Sequence, residues 1–121
     1  MPTSTYQDLV VWQRAMELAK EIYTLSKKLP REELFALSGQ MRRAAVSIPS
    51  NIAEGQERNS RKEFANFLSI ARGSRAELET QLTICVDVGY LGEAGVQRAR
   101  GLLKEIGKML SALISKLKTE N

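Results

Sequence analysis

Histidine is missing from this 121-residue chain altogether. That absence removes the usual general base and the commonest metal ligand. Ser–His and Cys–His nucleophilic pairs go with it, as do the Glu-x-x-His pairs of di-iron helical bundles. There is one cysteine, Cys85. It cannot close an internal disulfide and suits a reducing compartment; with no histidine to activate it, it reads as a small buried hydrophobe. Three prolines and eight glycines are too few for a disordered chain. No apolar run approaches the roughly 20 residues that cross a membrane. The opening Met1–Asp8 has neither the basic start nor the apolar core of a secretion signal, so a cytoplasmic protein is expected. There is no Walker-type phosphate loop, since Gly73-Ser74-Arg75 falls inside a helical pattern with no strand before it. Glu77 and Glu79, two residues apart, point to different sides of a helix and make no acid–base pair. No enzyme, metal site or cofactor is expected from this inventory.

What is present is ordinary globular material for one domain, 43% hydrophobic and 26% charged. The net charge of +4 is unevenly placed. Residues 40–76 hold seven basic side chains (Arg42, Arg43, Arg58, Arg61, Lys62, Arg72, Arg75) and three acidic ones, while the remainder holds eleven of each sign. A local basic excess favours phosphate backbones or acidic protein surfaces; a normally solvated helical face accounts for the same count.

Hydrophobic periodicity divides the chain into four helices and no strand. The first is expected over 8–28, with Leu9, Trp12, Met16, Ala19 and Ile22 on one face, Asp8 as its cap and Pro30 as its stop. The second runs over 32–57, started by Glu32 and Glu33. The third runs over 61–88, opened by a Ser60-Arg61-Lys62-Glu63 capping box and closed at Gly89. The fourth runs over 93–118 on an unbroken three-four spacing from Val96 to Leu117, which is a bundle seam. Short connections favour an all-α, antiparallel up-down-up-down four-helix bundle.

The second helix carries Pro49 in its middle, a cost of roughly 3 kcal/mol if nothing compensates. The core stripe stays in phase from Ile48 to Ile52, so Pro49 is expected to bend the helix and not to end it. At 100° per residue, Leu34, Leu37, Met41, Ala44, Ala45, Ile48 and Ile52 form the core stripe. Arg43, Ser47, Ser50 and Glu54 form a narrow polar line bordered by Asn51. Phe35, Val46, Pro49 and Ala53 form a second apolar face beside Arg42. That face suits contact with another subunit; scattered surface apolar residues are the alternative. Arg43 is expected to pair with a glutamate on another helix or subunit, an exposed weak ion pair being the alternative, and Gly73 to mark the close approach of a neighbouring helix or to be merely tolerated there.

The run Gln40-x-Arg42-Arg43-Ala44-Ala45-x-Ser47-Ile48-Pro49-Ser50-Asn51-Ile52-Ala53-Glu54-Gly55 resembles the signature of the 23S rRNA intervening-sequence protein family. Leu9-Val10-Val11-Trp12, Phe67-Leu68-x-Ile70-Ala71-x-Gly73-Ser74 with Glu77-Leu78-Glu79, and Gly89-Tyr90-Leu91 extend the resemblance over roughly 6–91. It implies a bundle that assembles into a ring-like homopentamer in bacterial cytoplasm. It also implies a link to accessory variability proteins of diversity-generating retroelements, which bind nucleic acid and a reverse transcriptase through a basic surface. No catalytic residue is carried over. Two functions follow: an oligomeric module binding RNA, DNA or a nucleic-acid enzyme, or a scaffold for another protein. Arg58, Arg61, Lys62 and Arg72 are the expected nucleic-acid contacts. Arg42, Arg43, Ser47, Pro49, Ser50, Asn51, Glu54, Gly55, Gly73, Ser74 and Glu77 are the expected interface or structural positions.

Overall fold

The computed structural model describes residues 5–119; the Met1–Ser4 part of the polar opening lies outside them. Four helices make a bundle: α1 (Val10–Ser26), α2 (Leu37–Glu57), α3 (Arg61–Asp87) and α4 (Gln97–Thr119). Three short 3-10 turns, Tyr6–Asp8, Arg31–Glu33 and Ala94–Val96, precede α1, α2 and α4. No strand occurs among the described residues. Contacts between neighbours pair rising numbers with falling ones. Ser26 meets Ser38 and Arg42. Met41 and Ser47 of α2 meet Cys85 and Ser74 of α3. Arg72, Arg75 and Thr83 of α3 meet Ser111, Leu103 and Arg100 of α4, and Arg14 and Glu17 of α1 meet Glu105 and Arg98. Neighbouring helices are therefore antiparallel along these contacts.

The ends differ from expectation for local reasons. Asp8 does not cap α1; it sits in the first turn, where its carboxylate accepts from the Thr5 N–H at 3.1 Å. Leu9 precedes α1 without a side-chain cap. The second helix starts at Leu37 and not at Glu32, because Ala36 takes a non-helical φ of −121° and ψ of −105°. Glu33 instead accepts from the Leu37 N–H at 3.3 Å, serving the helix from outside. Leu34 and Phe35, expected on helix faces, lie in that turn, and Phe35 is 93% exposed. Half of the Ser60 box is present: the hydroxyl accepts from the Glu63 N–H at 3.2 Å. The Glu63 carboxylate turns to Arg58 instead. Gly89 ends α3 at φ +86°, a conformation that favours glycine. The turn Ala94–Val96 takes up the expected start of α4.

The core follows the expected stripe except at Leu34, which is 41% exposed in the turn before α2. Leu18, Ile22, Met41, Ile48, Ile52, Leu68, Leu78, Leu82, Leu103, Ile106 and Leu110 are fully buried. Burying each is worth about 1.5–3 kcal/mol. Ile48 and Ile52 alone therefore offset the roughly 3 kcal/mol that Pro49 costs, and α2 runs unbroken through it. Tyr90 ties the α3–α4 connection to the turn before α2, its hydroxyl donating to Glu33 at 2.8 Å.

Candidate functional site

Antiparallel packing of α3 on α4 leaves an open trough of about 590 Å3 between them, lined by Arg72, Arg75, Glu79, Arg100, Lys104, Gly107, Lys108 and Ser111. Five cations face one carboxylate there. They are not equivalent. Arg75 is fixed: its Nη1 donates to the Leu103 carbonyl at 3.2 Å and its Nη2 lies 3.7 Å from Glu79. Its Nε is buried without a partner. Gly107 makes this pose possible, because a Cβ there would come within 3.0 Å of Arg75 Nε. Arg100 is also held. It grips Glu93 with two nitrogens, at 2.7 and 3.3 Å, and donates to Thr83. That hydrogen-bonded pairing raises the Arg100 pKa and lowers that of Glu93. The remaining three, Arg72, Lys104 and Lys108, have no carboxylate partner among the described residues; Arg72 reaches only Ser111, at 3.4 Å.

Of the cations expected as contacts, only Arg72 lies in this trough. Arg58 is engaged elsewhere: Glu54 at 2.8 Å and Glu63 at 3.5 Å hold its guanidinium, which lies 4.9 Å from the Phe67 ring centre. The hydrogen bond to Glu54 raises its pKa. Arg61 donates to the Lys116 carbonyl at 3.3 Å, and Lys62 is exposed. Of the basic window, only Arg72 and Arg75 line the trough, while Arg61 and Arg72 both reach α4 from α3. Arg42, at its start, packs over Tyr23 and donates to Ser26 at 2.8 Å, clamping α1 to α2.

The polar line of α2 turns partly inward. Ser47 and Ser74 share a hydroxyl hydrogen bond of 2.9 Å, and the Asn51 amide donates to both the Ser47 hydroxyl and carbonyl. These groups pin α2 to α3 within one subunit. Arg43 has no glutamate partner among the described residues, so the expected pairing with another helix of the same chain is not made. Ser50 is exposed, and Glu54 is spent on Arg58. Glu77 accepts a long 3.5 Å bond from Gln81. The close helix approach expected at Gly73 occurs at Gly55 instead. A Cβ on Gly73 would meet nothing within 4 Å, whereas one on Gly55 would stand 2.5 Å from Phe67 Cβ.

Of the expected second apolar face, Val46, Pro49 and Ala53 lie on α2 beside α1, whereas Phe35 lies outside the helix. Val46, Pro49, Ser50 and Ala53 line a shallow groove with Tyr6, Trp12, Met16 and Ala19, about 330 Å3 in volume. Tyr6 and Trp12 meet edge to face, 5.4 Å between ring centres.

The sequence groups Arg75 and Glu79 with the polar residues of the second and third helices, but does not single out Arg100, Lys104, Lys108 or Gly107. The available signal was the four-residue spacing Arg100-Lys104-Lys108, which stacks three cations on one side of α4. Cys85 is buried against Met41, and burial pushes its thiol pKa up, the opposite of an activated nucleophile. No cluster of three or more metal-ligating side chains occurs among the described residues, and none of their helices is long and apolar enough to cross a membrane.

No curated protein matches the chain. A solved structure is similar to it: the crystal structure of a protein with unknown function from the S23 ribosomal protein family of Bacteroides thetaiotaomicron. The two are 31% identical, the match covers 86% of this chain and 97% of the other, and the TM-score is 0.79. The family model described as 23S rRNA-intervening sequence protein matches residues 7–112, a span that includes every residue lining the α3–α4 trough. With the helical signature, the bundle and this match in agreement, the chain belongs to the 23S rRNA-intervening sequence protein family.

Proposed function

We propose that this protein is a non-catalytic helical module of the cytoplasm that binds nucleic acid through its phosphates, with the α3–α4 trough as the contact. One observation carries the reading. Arg72, Lys104 and Lys108 line a common trough without an ion pair among the described residues, its one carboxylate, Glu79, lies against Arg75, and Arg100 is paired with Glu93. Unpaired cations are the ones that displace condensed counterions from a phosphate backbone. The test is anisotropy of labelled RNA and DNA at low salt. Replacing Arg72, Lys104 and Lys108 together with glutamine removes binding. Replacing Arg58 and Lys62 leaves it. If the second set abolishes binding and the first does not, the contact lies at the α2–α3 connection and not in the trough.

The Trp12–Val46 groove supports a second element, self-assembly. An apolar face flanked by Val46 at 42% exposure suits burial by a neighbouring subunit. The family resemblance implies a homopentamer, which would repeat the trough and turn weak contacts into avidity. Light scattering should then give a mass five times the 13.5 kDa chain. Val46→Glu should dissociate it, and a monomeric wild type refutes the assembly. A scaffold without any nucleic-acid role predicts the oligomer but no salt-sensitive binding. A reverse transcriptase, the protein partner of the related retroelement proteins, is the first candidate to present to such a scaffold.

A further inference from the structure

Building on the phosphate-binding reading above, we infer that the α3–α4 trough receives double-helical nucleic acid, gripping its backbone and reading no bases. The lining chemistry makes the case. Grooves for single strands combine cations with aromatic rings on which bases stack. The chain has seven aromatic residues, and all of them (Tyr6, Trp12, Tyr23, Phe35, Phe64, Phe67, Tyr90) lie elsewhere. Base edges are read by amides and by free arginine forks. No asparagine or glutamine lines the trough. The two forks best placed to act, Arg75 and Arg100, are occupied by the Leu103 carbonyl with Glu79 and by Glu93. What is left is two point charges and one arginine.

Their placement fits a regular array of phosphates. Lys104 and Lys108 stand four residues apart on a rigid helix, about 6 Å along its axis. That is close to two steps of one strand of a duplex, at roughly 3.4 Å each. Arg72 faces them from α3, steadied by Ser111. A duplex offers one charge per about 1.7 Å of axis, a density that a lone strand does not reach. Cations with no stacking partner gain most from the denser and stiffer array. The ligand is a duplex of either sugar, bound without sequence preference.

The experiment uses a fluorescein-labelled mixed-sequence DNA duplex of roughly one helical turn, about 10–12 base pairs, so that one trough is occupied. Its separated strands and a sequence-permuted duplex serve as competitors. The duplex should bind about ten-fold or more tighter than either strand, and permutation should leave its affinity unchanged. Three phosphates neutralised on a duplex give a slope near −2.7, so affinity should fall roughly forty-fold between about 50 and 200 mM salt. The combined Arg72→Gln, Lys104→Gln, Lys108→Gln variant should lose duplex binding at the lower salt while keeping the wild-type melting temperature. Strands that bind as tightly as the duplex, with both still weakened by the triple variant, overturn the duplex inference and leave the phosphate-binding reading standing. No binding of either at the lower salt overturns both. Binding that survives the triple variant removes the trough from the account.

Discussion

Gly55 and Gly73 lie on adjacent helices, and replacing each with alanine should move stability in opposite directions. In a helix interior the change from glycine to alanine gains about 0.8–1 kcal/mol from backbone entropy. At Gly73 nothing opposes that gain, because the added Cβ meets no atom within 4 Å. At Gly55 the new Cβ would stand 2.5 Å from Phe67 Cβ and 3.2 Å from Phe64 Cδ1. The Phe67 Cβ is fixed to its backbone and cannot swing aside, so α2 and α3 must separate. Overpacking of this kind costs about 1–3 kcal/mol, and the absence of a flexible neighbour places it at the upper end. The net loss is about 2 kcal/mol. Unfolding entropy near 2.1 cal/mol/K per residue gives about 0.25 kcal/mol/K for 121 residues. Gly55→Ala should therefore melt about 8 °C lower, and Gly73→Ala about 3–4 °C higher, by far-ultraviolet circular dichroism. A Gly55→Ala protein that melts at or above wild type refutes the close crossing. A Gly73→Ala protein that loses stability shows that a neighbouring subunit fills the space above Gly73.

Three further outcomes follow from the contacts. Ser47→Ala strips Ser74 of its hydroxyl partner and Asn51 of one acceptor; chemical denaturation should show a loss of about 0.5–1.5 kcal/mol, with Ser47→Ala and Ser74→Ala together costing less than their sum. Glu93, hydrogen-bonded to Arg100, titrates below its usual value near 4.5. Its contribution is complete above that value and is lost as pH falls through the lower folded pKa, so thermal melts of Glu93→Gln should decline less on acidification. The same change frees Arg100 and should steepen the salt dependence of polyanion binding by about 0.9. Cys85, buried and with a raised pKa, should react with thiol reagents only as fast as the bundle opens, so that its labelling rate tracks global unfolding across these variants.

The four helices were legible in the sequence because their apolar spacing persists over more than four turns in each, and tertiary packing has no reason to contest such long stripes. The start of α2 was not. Glu32 and Glu33 look like an acidic first turn, but Ala36 breaks the backbone and sends Phe35 outward, and only Glu33's bond to the Leu37 N–H shows why the helix tolerates that start. The trough was legible by half. Arg72 stands inside the 40–76 window, whereas Arg100, Lys104 and Lys108 belong to Gln97–Thr119, whose six basic residues and one acidic residue disappear when they are pooled with the rest of the chain. Charge counted by position in sequence cannot see that α3 and α4 run antiparallel. That packing sets residue 72 beside residue 111, and residue 75 beside residue 103. Gly73 and Gly55 were confused for a related reason, since a glycine in a helix shows that something is small there and not which neighbour requires it.

Pro49 also bears on the order in which the bundle assembles. As a free segment Leu37–Glu57 would be a poor helix, because Pro49 removes about 3 kcal/mol and Gly39 and Gly55 about 1 kcal/mol each. Helix nucleation is itself unfavourable, and nothing local offsets those losses until Ile48 and Ile52 have partners to bury against. Those partners belong to the other helices of the bundle. The segment that carries the family signature is therefore expected to become helical late in folding, so that Ile48→Val should speed unfolding more than it slows folding in stopped-flow kinetics.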